Sequence, residues 1–376
     1  MRILIATVTA GAGHVQAAAA LEEAWRALRP RDAIERLDVL AFTPKLYRKM
    51  YVEGYVRLVE HAPELWAHVF KKTDNPELVK KLSRFRRALA RLTANKFIRQ
   101  MRKFKPDAVL CTHYMPLDIM GYVRAKSKKK IAPLTVSIVT DFEAHALWMD
   151  AGVDLYCVAA EETKARLVAR GADAENVVAT GIPVSGKFSR PVDAAAARKR
   201  FGLRDDLPTL LVLSGGFGLG PVAQILEALN KLDLPVQVLV VCGRNEELRR
   251  DLAVQNHRHP THVVGFVTNM EEFLAVSDLI ITKPGGLTTS EALAMGKPIF
   301  VLNPIPGQEA ANSDFLLGHG AAAKANRIED LPYRLSKLIG TSKLDEMARI
   351  ARSLGKPQAA TDICREVVQR LERRSG

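Results

Sequence analysis

Cysteine is scarce and dispersed. Cys111, Cys157, Cys242 and Cys364 are scattered through 376 residues with no CxxC pair. That spacing argues against a disulfide framework and a cysteine-built zinc site, and for reduced thiols in the cytosol. Long apolar runs are missing as well. The opening MRILIATVTAGAGH holds an apolar run too short to span a bilayer and ends in glycines, so it reads as a first buried strand and not a signal peptide. No two aspartates are spaced D-x-D, which removes the acidic metal site of many sugar transferases. No Ser-His-Asp arrangement is legible, and there is no solenoid-length repeat or low-complexity segment.

Acidic residues are thin in one half only. The formal charge is +14, with 27 Lys/Arg against 15 Asp/Glu from Met1 to Asp150 and 28 against 26 in the remainder. Within Lys71–Lys105 stand 13 basic residues and two acidic ones, Asp74 and Glu77. One face of the N-terminal half therefore carries a positive field suited to nucleic acid or anionic lipid headgroups. A well-solvated helix face fits the same charge run.

With 48% hydrophobic residues the chain is globular, and its length suits two domains. Strand-like runs alternate with helical patterns: RILIATV, DAVLCTH, LTVSIVTD, LYCVAA and NVVATGIP, then TLLVLSGG, VQVLVVCG, HVVGFV, DLIITKPGG and KPIFVLNP. Continuous Val/Ile/Leu strands between helices predict an α/β protein with two parallel, doubly wound Rossmann-like domains. The charged ARKRFGLRDDLP places a linker near residues 188–207. Ligands would bind between the domains, at the carboxyl ends of strands. Pro44–Phe104 breaks the alternation. There Leu78, Leu82, Phe85, Leu89, Leu92 and Met101 recur at roughly helical spacing against a basic face, after a stretch holding Tyr47, Met50, Tyr51, Tyr55, Leu58, Trp66 and Phe70. Such basic, aromatic amphipathic helices suit a membrane surface, or a helical insertion packed on its own domain.

Three strand-turn-helix sites carry glycines: Gly11-Ala12-Gly13-His14, Ser214 to Pro221 with Gly215, Gly216, Gly218 and Gly220, and Pro284-Gly285-Gly286-Leu287-Thr288-Thr289. Free N–H groups and the helix dipole favour an anion at each, by about 0.3–1 kcal/mol from the dipole alone. A tight turn needing glycine dihedrals explains any one of them; three sites in two domains point to a nucleotide. The G-x-G-x-x-G fingerprint fails at the first site, where Gln16 stands, and at the second, where Pro221 stands. Asp38, after a plausible second strand, keeps a dinucleotide option open. Gly181-x-x-x-x-Gly186-Lys187 imitates a P-loop, but Phe188 replaces the hydroxyl residue that would hold magnesium, so it is read as a decoy.

The stretch GFVTNMEEFLAVSDLIITKPGGLTTSEALAMGKPIFVLNPIPGQEAANSDFL resembles the nucleotide-sugar half of the diacylglycerol sugar transferases, the monogalactosyldiacylglycerol synthases and bacterial processive diacylglycerol glucosyltransferases. That family is related to the transferase adding N-acetylglucosamine to lipid-linked cell-wall precursors. GAGH, TDFEAHALW, ATGIPV, LSGGFG and VVCGRN match in the same order. The resemblance implies the GT-B fold, two Rossmann-like domains facing across a cleft. Residues 1–190 would form a lipid-acceptor and membrane-docking domain and residues 207–355 a UDP-sugar-binding domain. A C-terminal helix over 356–376 would follow, packing back on the N-terminal domain.

The resemblance also implies roles. Glu291 accepts hydrogen bonds from both ribose hydroxyls, as suits an acceptor-only carboxylate; a carboxylate stabilising its own helix is the plain alternative. Gly285, Gly286, Leu287 and Thr288 present N–H groups or a hydroxyl to the diphosphate, with Gly13 and Gly216 at the other glycine turns. Phe266 and Val267 flank the uracil, Arg244 neutralises the diphosphate, and Gln308 and Glu309 hold sugar hydroxyls. His14 is the candidate general base, since imidazole titrates at about 6.5; His145 and Asp141 compete for the role. The implied reaction is inverting, metal-independent transfer of a hexose from a UDP-sugar to diacylglycerol or a similar lipid, with no cofactor, on the inner face of the cell membrane. The protein would be cytoplasmic and peripheral, with no nucleic-acid partner. N-acetylglucosaminyl transfer to a polyprenyl-linked precursor and a non-catalytic UDP-sugar sensor are the rival readings. Ala12 departs from the GGGH or GNGH of many relatives, which bears on the acceptor.

Overall fold

The computed structural model describes residues 1–9, 11–126, 132–214 and 220–375, and their side chains except those of residues 55, 56, 60, 84, 87, 89–93 and 375. Gly216 and the side chains of Tyr55, Leu89 and Leu92 thus lie outside the described residues. The chain divides into two compact units. The first comprises Met1–Gly186, Pro306–Ala311 and Gln358–Gly376, the second Lys187–Ile305 and Asn312–Pro357.

Apolar runs without alternation become strands covered on both faces. In the first unit these are β1 (Arg2–Thr7), β2 (Ala33–Asp38), β3 (Ala108–Cys111), β4 (Leu134–Ile138), β5 (Leu155–Cys157) and β6 (Val177–Val178). All pair in parallel, in the order β2-β1-β3-β4-β5-β6. Ile3, Leu4, Ile5 and Ala6 of β1 are wholly inaccessible. On one face of the sheet, Ile3 and Ile5 pack with Leu21 and Trp25 of the Ala12–Leu28 helix and with Ile363, Val367 and Leu371 of the Ala359–Ser375 helix. Alanines at positions 17, 18 and 20 let these helices lie close. Each large side chain buried there contributes about 1.5–3 kcal/mol. The C-terminal helix is therefore part of the first unit's core.

In the second unit β7 (Thr209–Leu213), β8 (Gln237–Val241), β9 (Thr261–Val264), β10 (Leu279–Thr282), β11 (Ile299–Val301) and β12 (Ala322–Lys324) form a second parallel sheet, ordered β12-β11-β10-β7-β8-β9. Residues 188–207, read from sequence as a linker, carry the Ala194–Arg200 helix. Just beyond it the Phe201 ring stacks 4.4 Å from Phe273.

The two sheets share one topological feature that positions sites. β1 lies between β2 and β3, and β7 lies between β8 and β10. Successive crossovers leave these central strands in opposite directions. A crevice opens at the carboxyl ends of such a switch point. His14 follows β1; the Gly285–Gly286 turn follows β10.

Between β2 and β3 the chain inserts the helices Lys45–His61, Pro63–Thr73, Pro76–Thr93 and Asn95–Phe104. Pro63 and Pro76 begin their helices, where a missing N–H costs nothing. Asn75 caps the third through its Oδ1, which accepts from Glu77 N at 2.9 Å. Phe97, Ile98, Met101 and Phe104 turn the last one inward. Leu46, Met50, Leu65, Val69, Leu82 and Phe85 of the other three stay exposed. No helix among the described residues is long and apolar enough to cross a membrane.

Candidate active site

In the first unit, the glycine turn after β1 opens the Ala12–Leu28 helix, and His14 sits in its first turn. Its Nδ1 lies 3.0 Å from Oγ1 of Thr140, the residue two beyond β4. Its carbonyl accepts from Thr112 Oγ1 at 3.0 Å, beyond β3. Burial of the ring lowers its pKa to about 4, against a hydrogen bond at Thr112 that raises it, so the imidazole is neutral at working pH.

His113 stands edge-on to His14, ring centroids 4.7 Å apart. Its Nδ1 accepts from Met115 N at 3.0 Å, so the proton of the neutral ring is on Nε2. Burial, then the neighbouring His14, hold its pKa well below the usual value. Trp148 and Tyr114 complete the aromatic surround, 6.4 Å and 4.1 Å from the His113 ring, and the Tyr114 hydroxyl is 3.0 Å from that of Tyr51. Sequence reasoning passed over Thr140, His113 and Tyr114. The available signal was that CTH ends β3 beside β1.

The other candidates for the base sit differently. His145 is buried, its Nδ1 accepts from Leu147 N at 3.1 Å, and its Nε2–H donates to Phe70 O at 3.0 Å. Both nitrogens are engaged by backbone, and burial lowers its pKa. Asp141 follows Thr140 and is partly exposed. Gly13 is part of the same helix start as His14.

In the second unit, Gly285 precedes the Gly286–Ala294 helix, which has neither a side-chain cap nor an acidic residue in its first turn. The N–H groups of Gly286, Leu287 and Thr288 have no acceptor within the helix, so they form an anion seat. Asn312, on the Gln308–His319 helix, donates its Nδ2–H to Pro284 O at 3.0 Å and fixes the turn from beneath. Glu291 lies in the second turn. Burial raises its carboxyl to about 7, with Glu271 adding to the rise and Lys187 opposing it. Lys187 itself donates to Thr268 O at 2.6 Å and is 2.7 Å from Glu271. Phe266 is 53% exposed, too open for a core residue, and the Arg244 guanidinium lies 5.3 Å over its ring. Val267 is partly buried beside it. Gln308 and Glu309 open the Gln308–His319 helix, within the Pro306–Ala311 segment that belongs to the first unit.

The P-loop imitation dissolves here, because Gly186–Ser189 forms a 3-10 turn with Phe188 buried. Asp38 is likewise occupied: its Oδ1 accepts from Leu40 N at 2.9 Å and Thr9 N at 3.3 Å.

Residues 14–184 match the monogalactosyldiacylglycerol (MGDG) synthase family, and residues 209–367 match the glycosyltransferase family 28 C-terminal domain. A processive diacylglycerol β-glucosyltransferase of Bacillus pumilus is 35% identical over 71% of this chain and 70% of its own length. One from Bacillus cereus is 30% identical over 96% of this chain and 92% of its own. The chain belongs to the diacylglycerol glycosyltransferase family. Among solved structures, Acinetobacter baumannii MurG covers 98% of this chain and 99% of itself at 17% identity, with a TM-score of 0.61. The two parallel sheets of this diacylglycerol glycosyltransferase family member thus have the GT-B fold. The resemblance carried by GAGH, GGLTTSEA and PGQEAAN is a true family relationship.

Proposed function

We propose that the protein moves a hexose from a UDP-sugar to diacylglycerol or a similar membrane lipid, with inversion and without a metal. The observation that carries the reading is Glu291. It is a carboxylate poised at about 7 in the second turn of a helix whose uncapped N-terminus follows the switch-point strand β10. Relatives 35% and 30% identical to this chain are named processive diacylglycerol β-glucosyltransferases.

Groups of the second unit, together with Gln308 and Glu309, bind the donor. Glu291 releases its proton to solvent and, as a carboxylate, accepts from the ribose hydroxyls. The Gly286, Leu287 and Thr288 amides receive the diphosphate, and Arg244 leaves its place over Phe266 to join them as uracil stacks on that ring. Charge that develops on departing UDP is met by fixed dipoles already in place. Gln308 and Glu309 hold the sugar.

His14 acts on the acceptor. With Nδ1–H donating to Thr140, Nε2 presents its lone pair to the acceptor hydroxyl. A base of low pKa stays unprotonated at neutral pH. It takes the proton late, once attack on the oxocarbenium-like carbon has made the acceptor oxygen acidic. Attack from the face opposite UDP inverts the anomeric centre. The exposed apolar residues of the insertion, with Lys71, Lys72, Lys80 and Lys81 around them, dock the enzyme on an anionic membrane that holds the acceptor.

The test is incubation with UDP-glucose or UDP-galactose and dioleoylglycerol vesicles in chelator, followed by mass and anomeric analysis of the lipid. A β-hexosyl lipid is expected at full rate. An α-linked product, or loss of rate in chelator, would overturn the inverting or metal-free part. Tight UDP binding with no lipid product would make the protein a sensor.

A further inference from the structure

The Pro63–Thr73 helix is fastened at its end more firmly than a surface helix requires. Asp74, just past it, receives the Arg170 guanidinium through both nitrogens at 2.7 Å, Arg166 at 3.0 Å and the Ala146 amide at 2.7 Å. The Phe70 carbonyl accepts from His145 Nε2 at 3.0 Å, and Thr73 Oγ1 lies 3.4 Å from the same nitrogen. Every one of these ties leads to the 141–170 region of the first unit.

What this anchoring holds in place is the Phe70 ring. Its centroid lies 4.5 Å from that of His145 and 5.9 Å from that of Trp66, one helical turn back. Its remaining face lies against Gly307. A Cβ built on Gly307 would stand 2.8 Å from Phe70 Cγ and 2.9 Å and 3.1 Å from the two Cδ atoms. Those are atoms at the root of the ring, which packs with the rings of His145 and Trp66. Gly307 also has φ +96°, in the left-handed region. Glycine is therefore required twice over, for its dihedral and for the closeness of the ring. The next residues are Gln308 and Glu309, and the Gly307 carbonyl accepts from Ala311 N at 3.0 Å as the helix starts. The ring thus sets where that helix begins and how its first side chains are aimed.

We propose that Phe70 is a positioning residue for the donor sugar: it is the floor on which the Gly307 turn rests, holding Gln308 and Glu309 at the sugar hydroxyls. The inference rests on the reading of Gln308 and Glu309 given above and names a residue remote in sequence from both. Small displacements of positioned groups cost catalysis heavily. The uridine and diphosphate contacts, by contrast, belong to other residues.

The experiment compares UDP with UDP-sugar. Phe70→Ala, Phe70→Leu and wild type are titrated with UDP by calorimetry, and KM and kcat are measured with the sugar nucleotide the wild type uses. In Phe70→Ala the KM for UDP-sugar is expected to rise about tenfold, with UDP affinity within about twofold and Phe70→Leu recovering most of the loss. Equal weakening of UDP and UDP-sugar would mark a general structural role and overturn the proposal, as would an unchanged KM. Gly307→Ala, which lifts the turn off an intact ring, gives the same split if Phe70→Ala does not fold. Absence of UDP binding in the wild type would instead defeat the function reading.

Discussion

Nδ1 of His14 and Oγ1 of Thr140 meet at 3.0 Å although 126 residues separate them. The threonine hydroxyl can donate or accept, and the proposed mechanism uses the arrangement in which it accepts. If Nδ1–H donates to the threonine, the lone pair sits on Nε2, where a base needs it. Thr140→Val keeps the shape and removes the acceptor. We expect kcat to fall about 10- to 100-fold with KM for the UDP-sugar unchanged, and His14→Ala to fall further, by about 10²–10⁴. Both variants should bind UDP as the wild type does. Full kcat in Thr140→Val would remove tautomer control from the mechanism.

Much of this was legible in local sequence, and the reason is burial. Strands covered on both faces, such as Ile3–Ala6, need unbroken apolar residues, so the α/β class and its two series of strands can be read directly. The Gly285–Gly286 turn was legible because a helix start that can seat an anion needs bare backbone, whereas Glu291 was singled out only by the resemblance of GGLTTSEA to the family. Thr140, His113 and Phe70 were not legible. Each matters through a partner far along the chain, and nothing in TDFEAHALW reports that His145 is engaged at both nitrogens. Nor does PGQEAAN report that Gly307 lies on a ring from residue 70.

If Glu291 meets the ribose as proposed, its raised carboxyl makes donor binding pH-dependent. With a pKa of about 7 before binding, the group is protonated below that value. It must lose its proton to accept two hydroxyls, at about 1.4 kcal/mol per pH unit. UDP affinity in the wild type, relative to Glu291→Gln, should therefore rise about tenfold from pH 6 to pH 8 and then level. Taking the ratio cancels the titration of UDP's own phosphate. At pH 8 the glutamine variant should bind UDP about 10- to 100-fold more weakly, since hydrogen bonds to a charged acceptor are lost. Calorimetry in two buffers at pH 6 checks the proton release. A flat wild-type ratio would show that Glu291 does not meet the ribose.

Asp74 ties the insertion to its unit and gives stability a pH signature. Burial opposes its ionisation, yet the Arg170 hydrogen bonds, the Ala146 amide and the charges of His145 and Arg170 bring its pKa down to about 2. A depressed carboxyl stabilises above its unfolded value, about 3.8. That contribution is lost as pH falls from about 4 to 2. Asp74→Asn should cost on the order of 1–2 kcal/mol at pH 7 and about a third of that at pH 2.5. Tryptophans 25, 66 and 148 all lie in the first unit, so denaturation followed by their fluorescence reports on that unit alone. An equal cost at both pH values would show that the loss is steric and not ionic.

The membrane docking proposed for the insertion would have two separable components. The 13 basic residues against two acidic ones in Lys71–Lys105 act at a distance and are screened by salt, each worth about 1 kcal/mol at an anionic surface. Met50 and Phe85, 68% and 67% exposed, act by losing water and ignore salt, each worth about 1.5–3 kcal/mol when buried. Sedimentation with phosphatidylglycerol-rich vesicles should therefore weaken steeply as salt rises. Phe85→Ser should weaken binding about tenfold or more at every salt concentration. With neutral phosphatidylcholine vesicles the salt slope should vanish while the Phe85→Ser effect persists. Binding that ignores both salt and Phe85 would place the docking face elsewhere on the protein, because no other arrangement of these two forces gives that pair of results.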